Sequence, residues 1–168
     1  MATKDKDLND LFHDTLKDIY FAEKQILKAL PKMAKAATSD KLTAAFEKHA
    51  VETEGQIERL EQIFEILEKP ARGKTCDAIM GILEEGMEIM DEYKGTSALD
   101  AGLLAAAQAV EHYEITRYGT LKTWAVQLGM KDAAQLFEQT LGEESATDVA
   151  LSSLAQGSAN VKAKTKAA

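Results

Sequence analysis

The most restrictive feature of this sequence is the uneven spacing between its four long helical stretches. Apolar residues recur every three or four positions over residues 6–35, 41–68, 98–128 and 131–156, which is the period of an amphipathic helix. Only a few residues separate the first stretch from the second and the third from the fourth, so each pair is predicted to form an antiparallel hairpin. About 30 residues, 69–98, separate the two pairs, and a connection of that length needs structure of its own.

That connection contains a shorter amphipathic stripe, whose apolar residues are Ile79, Leu83, Met87 and Met90. The stripe predicts an additional helix within the crossover. Two hairpins joined by one long crossover are typical of the ferritin-like bundle and not of the simple up-down-up-down bundle. No alternating run of β-branched or aromatic residues indicates a strand. We therefore predict an all-α, ferritin-like four-helix bundle as a single domain over residues 1–157, with a polar, basic tail over residues 158–168.

The two hairpins also resemble each other in sequence. When the first hairpin is shifted by 91 positions, Glu23 aligns with Glu114 and Glu52 aligns with Glu143. Identity between the halves is sparse, but the alignment favours a pseudo-symmetric bundle built from two related hairpins.

Charge and hydropathy exclude several classes of partner. The 168 residues have a formal net charge of −8, which argues against a broad nucleic-acid-binding face. No run approaches the roughly 18 consecutive apolar residues of a membrane span, and the first residues do not resemble a signal peptide. The single cysteine, Cys76, fits a reducing compartment. We predict a cytoplasmic protein with no nucleic-acid partner and no membrane association.

Polar side chains interrupt the apolar stripe of every long stretch near its middle. In the second stretch the interrupting residues are His49, Thr53 and Gln56, with Glu52 beside them. Acidic residues interrupt the other three stripes, at Glu23, Glu111, Glu114, Glu144 and Asp148. All four long helices are therefore predicted to place acidic groups, or acidic groups with histidine, on faces that should be buried.

Several carboxylates on buried faces need a compensating positive charge, because an ionised group in a dry interior is costly. No cation lies on the same stripes, and Arg59 and Arg117 lie only beside them. Carboxylate oxygens together with an imidazole suit iron or manganese, and in dinuclear bundles such groups converge from facing helices. The pattern therefore predicts a carboxylate-rich di-iron or di-manganese centre.

Considered singly, these residues also have structural interpretations. Glu23 can reach solvent from the edge of its stripe, and a lone inward histidine such as His49 is often a hydrogen-bonded core residue. Gln56 and Tyr118 are predicted to hydrogen-bond or pack beside the ligands and not to bind metal themselves. His112 lies one position off the inward line and is predicted to be exposed. The metal hypothesis depends on the coincidence across four helices.

The spacing departs from the standard dinuclear pattern, in which two of the helices each contain Glu-x-x-His. The second stretch has the reverse order, His49-x-x-Glu52, and the residue three positions after Glu144 is Thr147. The internal repeat aligns Glu52 with Glu143, whereas the apolar stripe selects Glu144. We prefer Glu144 as the inward residue, because it continues the apolar stripe of its helix.

The chain is similar to a known family in four segments, DLFHDTLKDIYFAEKQILKALPKMA, AFEKHAVETEGQIERLEQIFEILEK, AVEHYEITRYGTLKTWAVQLG and LFEQTLGEESATDVALSSLA. Together they resemble the bacterial YciF-like proteins, a ferritin-like family, over about residues 7–156. The resemblance implies a four-helix ferritin-like domain, a homodimer, a link to the bacterial stress response and a dinuclear metal site similar to that of rubrerythrins. The ligands that it implies are Glu23, Glu52, Glu111, Glu114 and Glu144, with His49 and Asp148 as further candidates.

Two functional hypotheses follow. In the first, a bacterial stress-response protein binds two iron or manganese ions that react with oxygen or peroxide. Its terminal ligands are Glu23 and Glu114, its bridging ligands are Glu52 and Glu144, and Glu111 supplies a further, redox-dependent oxygen. In the alternative, a non-enzymatic structural or interaction protein has a metal-free acidic seam. The residues identify no catalytic side chain, so whether the protein is an enzyme is left open.

Overall fold

A computed structural model describes residues 5–164, and every regular element within them is helical. The elements are α1 (Leu8–Ala36), α2 (Asp40–Ile66), α3 (Asp77–Glu92), α4 (Leu99–Gln127), α5 (Lys131–Leu154), a π-helical turn (Ala155–Ala159) and α6 (Asn160–Ala163). The predicted all-α class and the predicted crossover helix are confirmed. Residues 165–168 of the predicted tail lie outside the described residues.

Local sequence explains where the helices begin and end. The side chain of Asp7 accepts a hydrogen bond from the backbone N–H of Asp10 at 3.0 Å, and the side chain of Asp10 accepts one from the backbone N–H of Asp7 at 3.2 Å. This capping box satisfies two backbone donors at the start of α1. Gly129 has a φ of 76°, a conformation that favours glycine, and it allows the tight turn between α4 and α5.

The four long helices form a closed bundle in which each helix packs against two others. The neighbours around the bundle run α1, α2, α5, α4 and back to α1, while α3 lies against α1 and α4. The backbone N–H and the Oγ1 of Thr38, just after α1, each donate a 2.8 Å hydrogen bond to Asp100 at the start of α4. The helices α2 and α4 therefore begin at the same end of the bundle and run parallel, as the ferritin-like crossover requires.

The crossover returns along α1 before it forms its own helix. The backbone N–H of Lys74 donates to the carbonyl of Lys17 at 3.0 Å, and a Cβ added to Gly73 would lie 3.0 Å from Cβ of Phe21. Glycine at this position therefore allows the close approach of the crossover to α1. Within residues 5–164, no helix combines the length and the apolar run needed to cross a bilayer.

Apolar layers enclose a polar middle layer in the bundle. Phe12 and Phe137 meet edge to face on one side with ring centroids 6.0 Å apart, while Leu30 and Phe46 are buried on the other side. These layers remove the polar residues between them from solvent, which raises the energetic cost of any uncompensated charge there.

The contact between Thr38 and Asp100 gives a first prediction about stability. We expect Asp100→Ala to lower the free energy of unfolding by about 1–2 kcal/mol, because two hydrogen bonds to a carboxylate between the hairpins are lost. Urea denaturation followed by circular dichroism measures the change. Asp91→Ala, at an exposed position of α3, is the matched control, and equal stability of the two variants would contradict the prediction.

Candidate metal centre

Each long helix contributes buried polar side chains to the middle layer. They are Glu23 from α1, His49, Thr53 and Gln56 from α2, Glu111 and Glu114 from α4, and Thr140 and Glu144 from α5. Each is at most 3% exposed, so the sequence stripes correctly identified faces that point inward.

Four of these residues converge on one point. His49, Glu111, Glu114 and Glu144 each offer one ligand atom, and these atoms all lie within 4.8 Å of one another. Nε2 of His49 lies 3.2 Å from Oε1 of Glu111, yet neither ring nitrogen makes a hydrogen bond within residues 5–164. Burial lowers the pKa of His49 to about 4, so the imidazole is neutral at pH 7, the form that binds metals.

Glu23 lies beside this group and is fully buried. Its Oε1 accepts a hydrogen bond from the hydroxyl of Tyr118, whereas its Oε2 has no partner among the described residues. A proton on the carboxyl group of Glu114 would allow that group to donate a hydrogen bond to Glu23. Tyr118, whose side chain is completely buried, thus hydrogen-bonds a candidate ligand.

The buried atoms that lack a hydrogen-bond partner are concentrated in this site. Ten such side-chain atoms occur within residues 5–164, and seven of them belong to Glu23, His49, Glu111, Glu114 and Glu144. Both carboxylate oxygens of Glu114 are among them. Buried polar atoms are rarely left without a partner, so this concentration indicates either a bound cation or protonated carboxyl groups.

The pKa values of the carboxyl groups reflect the same lack of compensating partners. Burial, with the neighbouring carboxylates as a second cause, raises the pKa of Glu23 to about 8 and the pKa of Glu111 to about 11. The same causes raise the pKa of Glu114 well above the ordinary value of 4.5. Burial also raises the pKa of Glu144 to about 7. Without a cation, the site therefore retains protons at neutral pH. A metal ion would displace those protons on binding.

The nearest guanidinium does not neutralise this cluster. Arg59 binds Glu143 through Nη2 and donates through Nε to Thr140 at 3.0 Å. Gln56 donates its amide to Oε1 of Glu144, and a 3.3 Å hydrogen bond joins it to Glu143. Glu144 is therefore the inward residue of the pair, and Glu143 forms a partly exposed ion pair. Sequence reasoning missed the pairing of Arg59 with Glu143.

In addition to Glu23, two predicted metal ligands lie outside the four-residue group. The side chain of Glu52 is 24% exposed and forms an ion pair with Lys48. The side chain of Asp148 is 21% exposed, accepts a 3.2 Å hydrogen bond from Gln108 and lies 3.4 Å from Nε2 of His112. His112 is exposed, as predicted. Both acids stand at the edge of the polar layer.

The internal repeat gives a physical reason for the position of Glu52. With the same shift of 91 positions, the residue that corresponds to Glu144 is Thr53, and the residue that corresponds to Thr147 is Gln56. The inward carboxylate position of α2 is therefore occupied by Thr53, whose Oγ1 donates to the carbonyl of His49 at 2.9 Å. Glu52 is one residue away, about 100° around the helix. The sequence repeat alone was therefore enough to identify Thr53 as the counterpart of Glu144.

Comparison with known proteins places the chain among relatives of similar length. The sequence profile of a family described as Domain of unknown function (DUF892) matches residues 7–164. Protein YciF of Escherichia coli (strain K12) is 46% identical over 163 residues, which cover 96% of this chain and 98% of that protein.

Solved structures agree with this relationship. The crystal structure of the E. coli stress protein YciF matches with a TM-score of 0.88 and 45% identity, covering 93% of this chain and 99% of that one. YcfI of Rhodopseudomonas palustris, described provisionally as a structural protein, matches with a TM-score of 0.86 and 43% identity, covering 90% of this chain and 97% of that one. A protein from Xanthomonas campestris pv. campestris, with 21% identity and a TM-score of 0.70, covers 89% and 92% and shares the fold.

Proposed function

This chain belongs to the DUF892 family of YciF-like proteins, and from that premise we propose that its bundle binds iron or manganese in the buried His/Glu cluster. The proposal extends to a dinuclear centre and to a role in the bacterial stress response. The E. coli relative is described as a stress protein, which supports that role here. The homodimer and the cytoplasmic location stay predictions.

The single observation that supports metal binding is the set of partnerless polar atoms enclosed by apolar layers. His49, Glu111, Glu114 and Glu144 present a neutral imidazole and three carboxyl groups to one point. This mixture of nitrogen and hard oxygen donors suits divalent iron or manganese. The residues present therefore fit a first ion.

A second ion would rely on Glu23 together with Glu114 and Glu144, because Thr53 replaces the carboxylate that α2 would otherwise contribute. When held by these residues, two ferrous ions would supply two electrons, which with two protons would reduce dioxygen to hydrogen peroxide or hydrogen peroxide to two water molecules. Tyr118 orients Glu23 through its hydroxyl, and Gln56 orients Glu144 through its amide. The apolar layers on either side exclude water from the cluster.

Metal content tests the proposal directly. We expect protein purified without chelator and loaded anaerobically with ferrous iron to retain about two ions per chain after gel filtration, the number in dinuclear bundles. Elemental analysis gives the stoichiometry. One ion per chain would reduce the dinuclear centre to a mononuclear one at His49, Glu111, Glu114 and Glu144. If the protein retained no metal after gel filtration, the proposal would be wrong.

One observation favours the alternative of a structural or interaction protein. The raised pKa values of Glu23, Glu111 and Glu114 allow these carboxyl groups to stay protonated and to hydrogen-bond one another without metal. The description of YcfI as a structural protein agrees with this alternative. Chelation separates the two functions, because only a metal protein loses thermal stability when EDTA is added.

A further inference from the structure

Two neighbouring cavities lie between the surface and one side of the candidate metal centre. The outer cavity is a groove of about 170 Å³ between α1, α3 and α4. Met80 and Met87, which are 44% and 47% exposed, lie at this groove, and its charged lining residues, Lys28 and Lys32, are exposed. The groove is therefore open to solvent at its mouth and apolar toward the bundle.

The inner cavity is much smaller and reaches the cluster. Its free volume is about 10 Å³, and its lining includes His49 and Glu111. Apart from these two residues and Thr147, every side chain that lines it is apolar. Both cavities share the wall residues Ala29, Met33, Leu83 and Val110. Four apolar side chains thus separate the groove from a space that adjoins two candidate ligands.

We propose that these cavities form the passage by which a small uncharged molecule, dioxygen, reaches the His49–Glu111 side of the cluster, with Ala29 and Leu83 at its constriction. The inference rests on the proposed metal-binding function and adds the substrate class and its route. Ala29 and Leu83 are both partly exposed, so the wall they form is at the edge of the close-packed core.

The size and chemistry of the inner cavity select this occupant. A volume of about 10 Å³ admits a molecule about the size of water. Water and hydrogen peroxide lose hydrogen bonds when they cross an apolar wall, whereas dioxygen has none to lose. Ions are excluded more strongly, because an isolated charge is costly in such surroundings. The metal itself must enter by another route or during folding.

Dissolved dioxygen itself tests the passage on the metal-free protein, without any metal chemistry. Because dioxygen is paramagnetic, it broadens the NMR signals of the methyl groups that it approaches. We expect broadening of the methyl signals of Ile26 and Leu151, which line only the inner cavity, in the unchanged protein and its loss in Ala29→Phe, in which the phenyl ring fills the shared wall. The matched control is Ala44→Phe, at an exposed position of α2 that lines neither cavity. No broadening of these signals, or equal broadening in all three proteins, overturns the proposal.

Stopped-flow oxidation of the iron-loaded protein tests the substrate. We expect Ala29→Phe to slow oxidation by dissolved dioxygen at least about tenfold with an unchanged iron content, because the phenyl ring would fill the wall that the two cavities share. Leu83→Ala widens the same wall and should accelerate the reaction, which keeps the test decisive if Ala29→Phe does not fold. Hydrogen peroxide as the oxidant should show a smaller effect of both variants.

The outcomes separate this inference from the function on which it rests. If no iron binds, the proposed function fails, while the NMR broadening by dioxygen in the metal-free protein still decides whether the passage exists. If iron binds and dioxygen broadens the inner methyl signals but Ala29→Phe and Leu83→Ala leave the oxidation rate unchanged, the passage does not deliver the substrate. A larger effect on peroxide than on dioxygen would overturn the assignment of the uncharged gas.

Discussion

We expect the Glu114→Gln variant to bind ferrous or manganous ions at least about 100-fold more weakly than the unchanged protein, while its metal-free form becomes more stable. Glu114 is fully buried and belongs to the four-residue group, so a metal ion would lose an anionic oxygen ligand. Without metal, the same carboxyl group is a liability, because burial and its three carboxylate neighbours oppose its ionisation. Isothermal titration calorimetry and urea denaturation at pH 8 measure the two effects.

The opposite signs make this prediction specific. If Glu114 only stabilised the fold, its substitution would lower the free energy of unfolding of the metal-free protein and would leave the metal affinity unchanged. Glu54→Gln, at an exposed position of α2, is the control for the loss of one negative charge. Glu52→Gln tests the sequence prediction that Glu52 is a ligand. Because Glu52 pairs with Lys48 outside the group, we expect this variant to keep its metal affinity. Equal losses of affinity in Glu52→Gln and Glu114→Gln would return Glu52 to the ligand set.

The second large effect concerns pH. We expect the metal-free protein to lose stability as pH rises from about 6.5 to 9, by about 1.4 kcal/mol per pH unit for each carboxyl group that is protonated in the fold and ionised in the unfolded chain. Urea denaturation at several pH values measures this slope. Metal-loaded protein should lack it, because ionised carboxylates then face a cation. The stability gap between the loaded and metal-free forms should therefore widen with pH.

The sign follows from the direction of each shift. The folded pKa values of Glu144 and Glu23, about 7 and about 8, exceed the ordinary value of 4.5, so between these limits the unfolded chain loses its protons first and is favoured by rising pH. Burial raises the pKa of Glu111 to about 11, which extends this window to higher pH, and the pKa of Glu114 is shifted in the same direction. His49 titrates within the lower part of the window and has the opposite effect, because its lowered pKa makes stability rise between about pH 4 and pH 6.5. The loss of stability above pH 6.5 therefore reports the carboxyl groups.

A metal-free protein whose stability is constant from pH 6.5 to 9 would contradict this electrostatic description of the site. Glu114→Gln provides an internal check. Removing this buried carboxyl group should reduce the loss of stability with rising pH by up to about 1.4 kcal/mol per pH unit, the contribution of one group. A variant that is more stable at pH 8 but keeps the full slope would place the titration elsewhere in the protein.

Most of the fold was predictable because it depends on patterns within each helix and on the lengths of connections. The apolar stripes located α1, α2, α4 and α5, and the long crossover with its own helix indicated the ferritin-like arrangement. The contact of Thr38 with Asp100 confirms the parallel orientation of α2 and α4 that this arrangement requires. Helix ends were accurate to within two or three residues, since caps and glycines mark them locally.

The site was predictable only as a set of inward faces. The stripes correctly marked Glu23, His49, Glu111, Glu114 and Glu144 as buried. The stripe of α5 also included Asp148, and proximity to the stripe of α2 suggested Glu52, but both acids lie at the edge of the polar layer. One residue along a helix is a rotation of about 100°, so sequence proximity cannot decide which neighbour faces the centre.

From the residues alone follow the helical class, the two hairpins, the crossover and the concentration of acidic groups in mid-bundle, because helical periodicity and connection length act locally along the chain. Only the packing of four helices decided that His49, Glu111, Glu114 and Glu144 meet at one point, that Arg59 pairs with Glu143, and that an apolar cavity adjoins His49. These are distances between side chains on different helices, and they depend on the relative rotation and axial position of each helix within the bundle.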